Sequence, residues 1–165
     1  MLLGTPTPFR VLVLCTGNSA RSILAEALFN RAGAGLFEAY SAGSHPTGRV
    51  NPFALELLGQ KGVDCSEFRS KSWEEFARQD APRMDFVVTV CGNAAAEACP
   101  AFQGDFKHVH WGLPDPAEYT AIPDKARSAF AQVYDTLHQR IDALAKMPVD
   151  KRDKESLWQA MEALA

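Results

Sequence analysis

The most constraining feature of this sequence is a cysteine placed between an apolar run and a helical pattern. Residues 11–14 read Val-Leu-Val-Leu, which is typical of a strand buried on both faces. Cys15 follows at once, and Arg21 opens a segment with helical apolar spacing over residues 21–32. The residues between Cys15 and Arg21 are small or polar, so the backbone can curl with its N–H groups inward. The pattern therefore predicts a strand–loop–helix unit with a thiol at its turn.

This loop predicts a reactive thiol in an oxyanion-binding site. Arg21 offers a planar two-pronged donor, and the helix N-terminus adds partial positive charge. Both favour thiolate, so we expect the pKa of Cys15 to be lowered. Asn18 is expected to take a left-handed backbone, and Ser22 to donate to the Cys15 sulfur. The candidate binding residues are Thr16, Gly17, Asn18, Ser19, Ala20, Arg21 and Ser22. The alternative is that Cys15 is only a small buried apolar residue.

The rest of the chain alternates between strand and helix patterns. Further strands are predicted at residues 36–41, 85–91 and 107–111, and helices at 52–62, 73–78 and 124–145. Such alternation predicts an α/β fold: a single-domain three-layer sandwich with a four-stranded parallel sheet and helices on both faces. Ligands in these folds bind beyond the carboxyl ends of the strands. Cys15 and Cys91 each end a predicted strand, so we expect them to face one crevice.

Composition excludes several classes of function. The 165 residues are 47% hydrophobic, which suits one domain with a proper core. A net charge of -3 without any Lys/Arg-rich run argues against a nucleic-acid binder. No apolar stretch reaches membrane-spanning length, and residues 1–8 do not resemble a signal peptide, so we expect a cytoplasmic protein with no membrane partner. The Cys and His spacings lack the short pairs of zinc sites, so no metal is expected.

The wording Cys15-Thr16-Gly17-Asn18-Ser19-Ala20-Arg21-Ser22 resembles the low-molecular-weight protein tyrosine phosphatase family, and most of all its arsenate reductase branch. The resemblance covers residues 9–146 and implies that family's fold. It leaves residues 1–8 as an N-terminal extension and 147–165 as a C-terminal one. The latter contains an amphipathic helical pattern, which either packs on its own domain or offers a surface to a partner or a second copy.

Asp115 resembles the general acid of this family. It is flanked by prolines that stiffen its loop, and it would protonate the oxide or hydroxide that leaves a tetrahedral oxyanion. An Asp-Pro pair is otherwise commonly just a turn. Family phosphatases usually continue with aromatic residues that wall a phosphotyrosine cleft, whereas residues 117–119 read Ala-Glu-Tyr, with Tyr119 or Trp111 left to line the mouth. This favours a small oxyanion such as arsenate, with phosphate as a competitor.

Cys91 and Cys99 resemble the further cysteines of thiol-dependent arsenate reductases. The resemblance implies that Cys15 attacks arsenate, Cys91 attacks Cys15 to expel arsenite, and Cys99 then attacks Cys91. Bridged cysteines need Cα atoms within about 7 Å, whereas a helix from Cys91 to Cys99 spans roughly 12 Å. The segment must therefore loop, or unwind on oxidation. The alternative is two incidental buried thiols, and Cys65, which lies in no motif, is expected to be structural.

The resemblance also implies partners and a support for the loop. Thioredoxin is the expected reductant, with glutaredoxin and glutathione, or mycothiol, as alternatives, and no cofactor is expected. Some arsenate reductases hold a potassium ion near positions that match Asn18, Glu26 and Ser41, completed by a later acidic residue. In this sequence, Ser70 or Lys71 occupies the position of that acidic residue. We expect the Lys71 ammonium to replace the ion beside Glu26.

Three functions stay open at this point. An arsenate reductase would use all the residues above, whereas a low-molecular-weight phosphatase needs only Cys15, Arg21 and Asp115. A non-catalytic oxyanion-binding or redox-responsive partner protein would dock through the helix at residues 157–164. The presence of nucleophile, arginine and acid together argues against this third function.

Overall fold

The strands form one parallel sheet, as the sequence predicts. A computed structural model of the protein describes residues 7–92 and 100–165. Its strands are β1 (Phe9–Cys15), β2 (Phe37–Gly43), β3 (Phe86–Thr89) and β4 (Lys107–His110), in the spatial order β2-β1-β3-β4. Its α-helices are α1 (Arg21–Arg31), α2 (Pro52–Gln60), α3 (Pro123–Ala145) and α4 (Lys154–Leu164). The predicted α/β single domain with a four-stranded parallel sheet is confirmed.

The two faces of the sheet are covered differently. Helix α1 packs on β1 and β2, and α2 and α3 pack against α1. On the opposite face, the Phe76 ring lies 5.6 Å from the Tyr40 ring. Phe76 belongs to a 3₁₀-helix, Trp73–Phe76, where the sequence predicted a longer helix over residues 73–78. The helix stays short because Ser72 caps its start and the Ala77 N–H already closes a tight turn on the Glu74 carbonyl.

The register of the strands brings their carboxyl ends together. Residues 11–14 of β1 are fully buried, as expected of a central strand covered on both faces. Cys15 pairs with Gly43 at the end of β2, and Leu14 pairs with Thr89 at the end of β3. Since all strands are parallel, the loops that follow β1, β3 and β4 leave from one edge.

Helix α4 packs on its own domain. Its apolar residues Leu157 and Met161 are completely buried in the main core. It contacts β4 and α3, and it is separated from α3 by a break at Met147-Pro148. The amphipathic pattern at the end of the sequence therefore reflects a face directed into this domain.

Gly43 is the closest neighbour of the loop that follows β1. A Cβ atom at this position would lie 2.4 Å from the Thr16 carbonyl oxygen and 2.8 Å from the Cys15 carbonyl oxygen. The Gly43 N–H also donates to the Lys71 carbonyl at 2.9 Å. Only glycine therefore allows the loop backbone to pass over the end of β2.

Asn18 ties the loop to the segment at residues 70–71. It is fully buried and has φ of 46°, which confirms the predicted left-handed conformation. Its side-chain amide donates to Ser22 Oγ at 2.8 Å and accepts from the Lys71 N–H at 2.9 Å. The Ser70 hydroxyl donates to the Gly17 carbonyl at 3.0 Å. A single buried side chain thus joins both ends of the loop to a crossing segment.

A mostly buried ion pair lies below this junction. Glu26 Oε1 accepts from the Ser41 hydroxyl at 2.6 Å and lies 3.7 Å from Lys71 Nζ. Burial raises the pKa of Glu26, although Lys71 and Ser41 act in the opposite direction. Burial likewise lowers the pKa of Lys71, against the effect of Glu26. Without the other, Glu26 and Lys71 would each favour the neutral form. The Lys71 ammonium lies beside Glu26, as the sequence predicted.

Replacing Gly43 by alanine should destabilise the protein by about 3 kcal/mol, because the new methyl group overlaps two backbone oxygens. Urea unfolding measures this change. Gly59→Ala is the matched control: nothing lies within 4 Å of a Cβ atom there, and the position is helical. This control should gain up to about 1 kcal/mol. Equal effects of the two substitutions would contradict the close approach.

Lys71→Met should destabilise the protein by about 3–5 kcal/mol at pH 7, since it leaves the Glu26 carboxylate buried without its cation. The raised pKa of Glu26 rises further in this variant. The contribution of Glu26 to the stability of this variant is therefore fully present below the unfolded pKa of about 4.3, and it is lost as the pH rises through the folded pKa of Glu26. The loss relative to wild type should thus shrink at pH 5.

The control is Lys146→Met, which removes an exposed lysine paired with Asp142 and should change the stability by less than about 1 kcal/mol. Adding Glu26→Gln to Lys71→Met should recover most of the loss. Exchanging NaCl for KCl should leave the wild-type stability unchanged, since the Lys71 ammonium already lies beside Glu26. A Lys71→Met penalty independent of pH would refute this account.

Candidate active site

Cys15 and Cys91 meet at the carboxyl edge of the sheet. Cys15 ends β1 and Cys91 lies two residues beyond β3, and each is only 5% exposed. Their thiols are in hydrogen-bond contact, and neither is in a disulfide. The expectation that the two cysteines face one crevice thus matches the geometry.

The contact between these thiols corrects the expected ionisation of Cys15. The hydrogen bond to Cys91 raises the pKa of Cys15 most strongly, and burial raises it further. Arg21 and the Thr16 N–H lower the pKa, as the sequence suggested, but their effect is smaller. The prediction of a lowered pKa was wrong for this arrangement, because the hydrogen bond to Cys91 and burial together favour the neutral Cys15 thiol.

The backbone of the loop is oriented by its carbonyl groups. The carbonyl oxygens of Thr16, Gly17 and Ser19 accept hydrogen bonds of 2.9, 3.0 and 2.9 Å from N–H groups in residues 45–51. In a trans peptide the next N–H points opposite to the carbonyl. The N–H groups of residues 17, 18 and 20 therefore point away from residues 45–51, and they form a concave set of donors suited to an anion.

Thr16 also contacts the second thiol. Its hydroxyl lies 3.4 Å from Cys91 Sγ, so it can exchange a hydrogen bond with that sulfur. The sequence predicted only a substrate-binding role for Thr16. No local signal identifies this pair, because the two residues are 75 positions apart and meet only through the sheet register.

Arg21 reaches across the edge of the sheet toward the loop after β4. Its Nη1 donates to the Leu113 carbonyl at 2.9 Å, and its Nη2 lies 3.7 Å from Asp115 Oδ2. Within the described part of the chain its buried Nε has no hydrogen-bond partner. Arg21 is therefore held in place at one end of its guanidinium while a buried donor stays available.

Asp115 has a structural role and a place in the site at once. Its Oδ1 accepts from the Ala117 N–H at 3.0 Å and caps the 3₁₀-helix Pro116–Tyr119. Its Oδ2 faces Arg21. The sequence offered two roles for Asp115, a turn residue and a general acid. The two roles are compatible, because each uses a different oxygen of the Asp115 carboxyl group.

A cleft of about 470 Å³ opens beside the loop. Among the described residues it is lined by Ser19, Thr47, Arg49, Val50, Asn51, Pro52, Ala117 and Thr120, none of which is aromatic. Trp111 is fully buried, which corrects the suggestion that it lines the mouth. The Tyr119 ring lies under Lys125 Nζ at 4.6 Å. Cys15, Arg21 and Asp115 do not line this cleft, so the missing aromatic wall around the thiol stays a prediction.

The other residues of interest lie elsewhere or outside the described residues. Cys99 falls in the segment 93–99, which the structure does not describe. Cys65 is partly exposed and donates only a long hydrogen bond to the Val63 carbonyl. His108 and His110 both contact the Thr89 hydroxyl.

Residues 7–92 and 100–165 contain no group of three or more His, Cys, Asp or Glu side chains arranged to hold a metal ion. None of the helices there combines the length and apolar character of a membrane span.

Comparisons with known proteins agree with this geometry. Residues 10–155 match the family model described as low molecular weight phosphotyrosine protein phosphatase. A protein named arsenate reductase from Halalkalibacterium halodurans is 37% identical over 136 residues, which cover 82% of this chain and 94% of the relative.

Solved structures show the same likeness. The crystal structure of arsenate reductase from Archaeoglobus fulgidus has a TM-score of 0.63 at 29% identity, covering 83% of this chain and 99% of that one. The thioredoxin-dependent arsenate reductase of Corynebacterium glutamicum has a TM-score of 0.52 at 26% identity, covering 83% and 65%. With its loop, its register and these matches, the chain belongs to the low-molecular-weight phosphotyrosine protein phosphatase family.

Proposed function

We propose that this protein reduces arsenate to arsenite through a cascade of cysteine thiols. The observation that carries the proposal is that the strand register brings two buried cysteines, Cys15 and Cys91, to one crevice, where the hydroxyl of Thr16, the residue after Cys15, lies 3.4 Å from Cys91 Sγ. Hydrolysis of a phosphate ester needs one thiol, whereas reduction of an oxyanion needs a second thiol close enough to form a disulfide. The arsenate reductases among its relatives support the same reaction.

The chemistry balances with two thiols. The Cys15 sulfur attacks arsenic and forms a sulfur–arsenic bond, while one oxygen of arsenate leaves as water after protonation. The Cys91 sulfur then attacks Cys15 Sγ. The electron pair of the sulfur–arsenic bond passes to arsenic, which leaves as arsenite. The products are arsenite, water and a Cys15–Cys91 disulfide, so two thiols are oxidised and arsenic gains two electrons.

The surrounding groups suit these steps. The inward N–H groups of the loop and the buried Nε of Arg21 would hold the oxyanion. Asp115, close to Arg21, would supply the proton for the leaving oxygen. The Thr16 hydroxyl would donate to Cys91 when that sulfur becomes the nucleophile.

A protein tyrosine phosphatase is the second candidate function. It is favoured by the family match, since Cys15, Arg21 and Asp115 suffice for phosphate ester hydrolysis. An aryl phosphate is disfavoured by residues 117–119, which read Ala-Glu-Tyr where the family's phosphatases usually carry an aromatic wall.

The reductant and the location are further parts of the proposal. We infer that thioredoxin reduces the final disulfide, because the related structure from Corynebacterium glutamicum is a thioredoxin-dependent enzyme. Glutaredoxin with glutathione, or mycothiol, is the alternative. Phosphate would compete with arsenate because both are tetrahedral oxyanions. We infer that the reaction takes place in the cytoplasm, because thiols are kept reduced there.

Cys91→Ser should abolish arsenate-dependent NADPH oxidation in the presence of thioredoxin and thioredoxin reductase, because no disulfide with Cys15 can form. The rate should fall by at least about a thousandfold. The matched control is Cys65→Ser, which removes a thiol outside the site and should keep the wild-type rate. Phenyl phosphate hydrolysis that survives Cys91→Ser, with no arsenate turnover in wild type, would establish the phosphatase instead.

Cys99→Ser tests the last thiol of the proposed cascade. A single turnover with arsenate should still consume two thiols in this variant, whereas multiple turnovers with thioredoxin should slow by about tenfold or more, because the disulfide stays on Cys15 and Cys91. Thiol titration and NADPH oxidation give the two readings. Normal multiple turnover would show that the reductant attacks the first disulfide directly.

A further inference from the structure

Helix α4 is attached along β4 by side-chain hydrogen bonds. The matched family residues end at 155, so almost all of α4 lies beyond the family model. Three bonds join α4 to β4 and to the residues on either side of it, in the same order along each segment: Lys154 Nζ to the Asp105 carbonyl, Trp158 Nε1 to the His108 carbonyl at 3.1 Å, and Trp111 Nε1 to the Met161 carbonyl at 2.9 Å. Residues 154, 158 and 161 share one face of the helix.

The middle bond covers the open edge of the sheet. The N–H groups of Lys107 and Trp111 donate to carbonyls of the β3 side. In a parallel strand the alternating residue His108 therefore directs its backbone groups outward. Trp158 donates to that outward carbonyl.

The last bond joins two groups that would otherwise be unsatisfied. The Met161 carbonyl lies in the final turn of α4, and the N–H four residues on, that of Ala165, donates to Glu162 instead. The Trp111 indole is fully buried and needs an acceptor for its N–H. The indole N–H is the donor and the Met161 carbonyl is the acceptor, so this hydrogen bond fixes the indole to the end of α4.

Trp111 is also the first residue of the loop that carries the acid. Its ring stacks on Phe29 with centroids 5.9 Å apart, and the Arg140 guanidinium lies 5.5 Å from its centre. Two residues on, the Leu113 N–H donates to the Val90 carbonyl at 3.0 Å, and the Leu113 carbonyl accepts from Arg21. Asp115 follows after another two residues.

We propose that α4 positions Asp115 for catalysis by holding Trp111 through the Met161 carbonyl. Trp111 is then a positioning residue, since it touches neither substrate nor reacting sulfur. This inference rests on the proposed function, in which Asp115 supplies a proton to the leaving oxygen. Helix α4 thereby becomes part of the active-site framework rather than a separate appendage.

The test is a double-mutant cycle on the arsenate-dependent loss of thiols in a single turnover. Trp111→Phe keeps a ring in the core but removes the N–H donor, and it should slow the reaction about fivefold. Asp115→Asn should slow it about a hundredfold. Adding Trp111→Phe to Asp115→Asn should have no further effect, because the misplaced acid is already absent.

The matched control is Trp158→Phe, which removes a comparable indole bond to β4 but not the one to the acid loop. It should lower the melting temperature as Trp111→Phe does and keep the wild-type rate. If Trp111→Phe does not fold, Met161→Ala, which loosens the same turn of α4, takes its place in the cycle. The inference is overturned if the Trp111 effect persists in the Asp115→Asn background, or if Trp158→Phe slows the reaction equally.

The proposed function is checked by the wild-type protein in the same assay. No loss of thiols with arsenate would overturn the reductase but not the positioning role. The same cycle is then read on phenyl phosphate hydrolysis, which needs the same acid. Non-additivity there supports the inference, and additivity overturns it.

Discussion

The active-site geometry depends on the buried amide of Asn18. Its left-handed backbone turns the loop back on itself, and its side chain bonds to Ser22 on one side and to the Lys71 N–H on the other. Asn18 is fully buried, so this junction lies inside the protein. A buried amide with satisfied donors and acceptors specifies one arrangement, because every alternative leaves a polar group unpaired. This constraint acts together with the hydrogen bonds from residues 45–51 to the loop carbonyls, which set the direction of the loop N–H groups.

The parallel sheet then supplies the second part of the site. The residues that face the loop come from distant parts of the sequence: Cys91 follows β3, while Leu113 and Asp115 follow β4. Strand register brings them to one edge, and Gly43 allows the loop backbone to pass close enough to meet them. The site is therefore a property of the sheet as much as of the Cys-to-Arg motif.

Local sequence patterns predicted what depends on local forces. The doubly buried strand at residues 11–14, the loop between Cys15 and Arg21, and the left-handed Asn18 all follow from residue types and their immediate neighbours. The approach of Lys71 to Glu26 was also expected, although it needed a resemblance to place it.

What the sequence missed depends on partners far along the chain. The lowered pKa expected for Cys15 was wrong because the Cys91 sulfur, supplied by another strand, outweighs Arg21. Trp111 was considered for the cleft but is buried, because α4 offers a carbonyl that takes its indole N–H. The helix predicted at residues 73–78 is a 3₁₀-helix of four residues, because Ser72 caps its start and the Ala77 N–H closes a tight turn on the Glu74 carbonyl. Such pairings appear only once the sheet order is known.

The raised pKa of Cys15 sets the charge that an incoming oxyanion meets. The hydrogen bond to Cys91 and the burial of the thiol keep Cys15 protonated, and a charge on Cys91 would raise its pKa further. A divalent anion therefore approaches a crevice that contains the fixed positive charge of Arg21 and little negative charge on the Cys15 sulfur. Substrate entry and thiol ionisation are thus electrostatically ordered: the crevice accepts the anion while Cys15 is still protonated, and the thiol loses its proton afterwards.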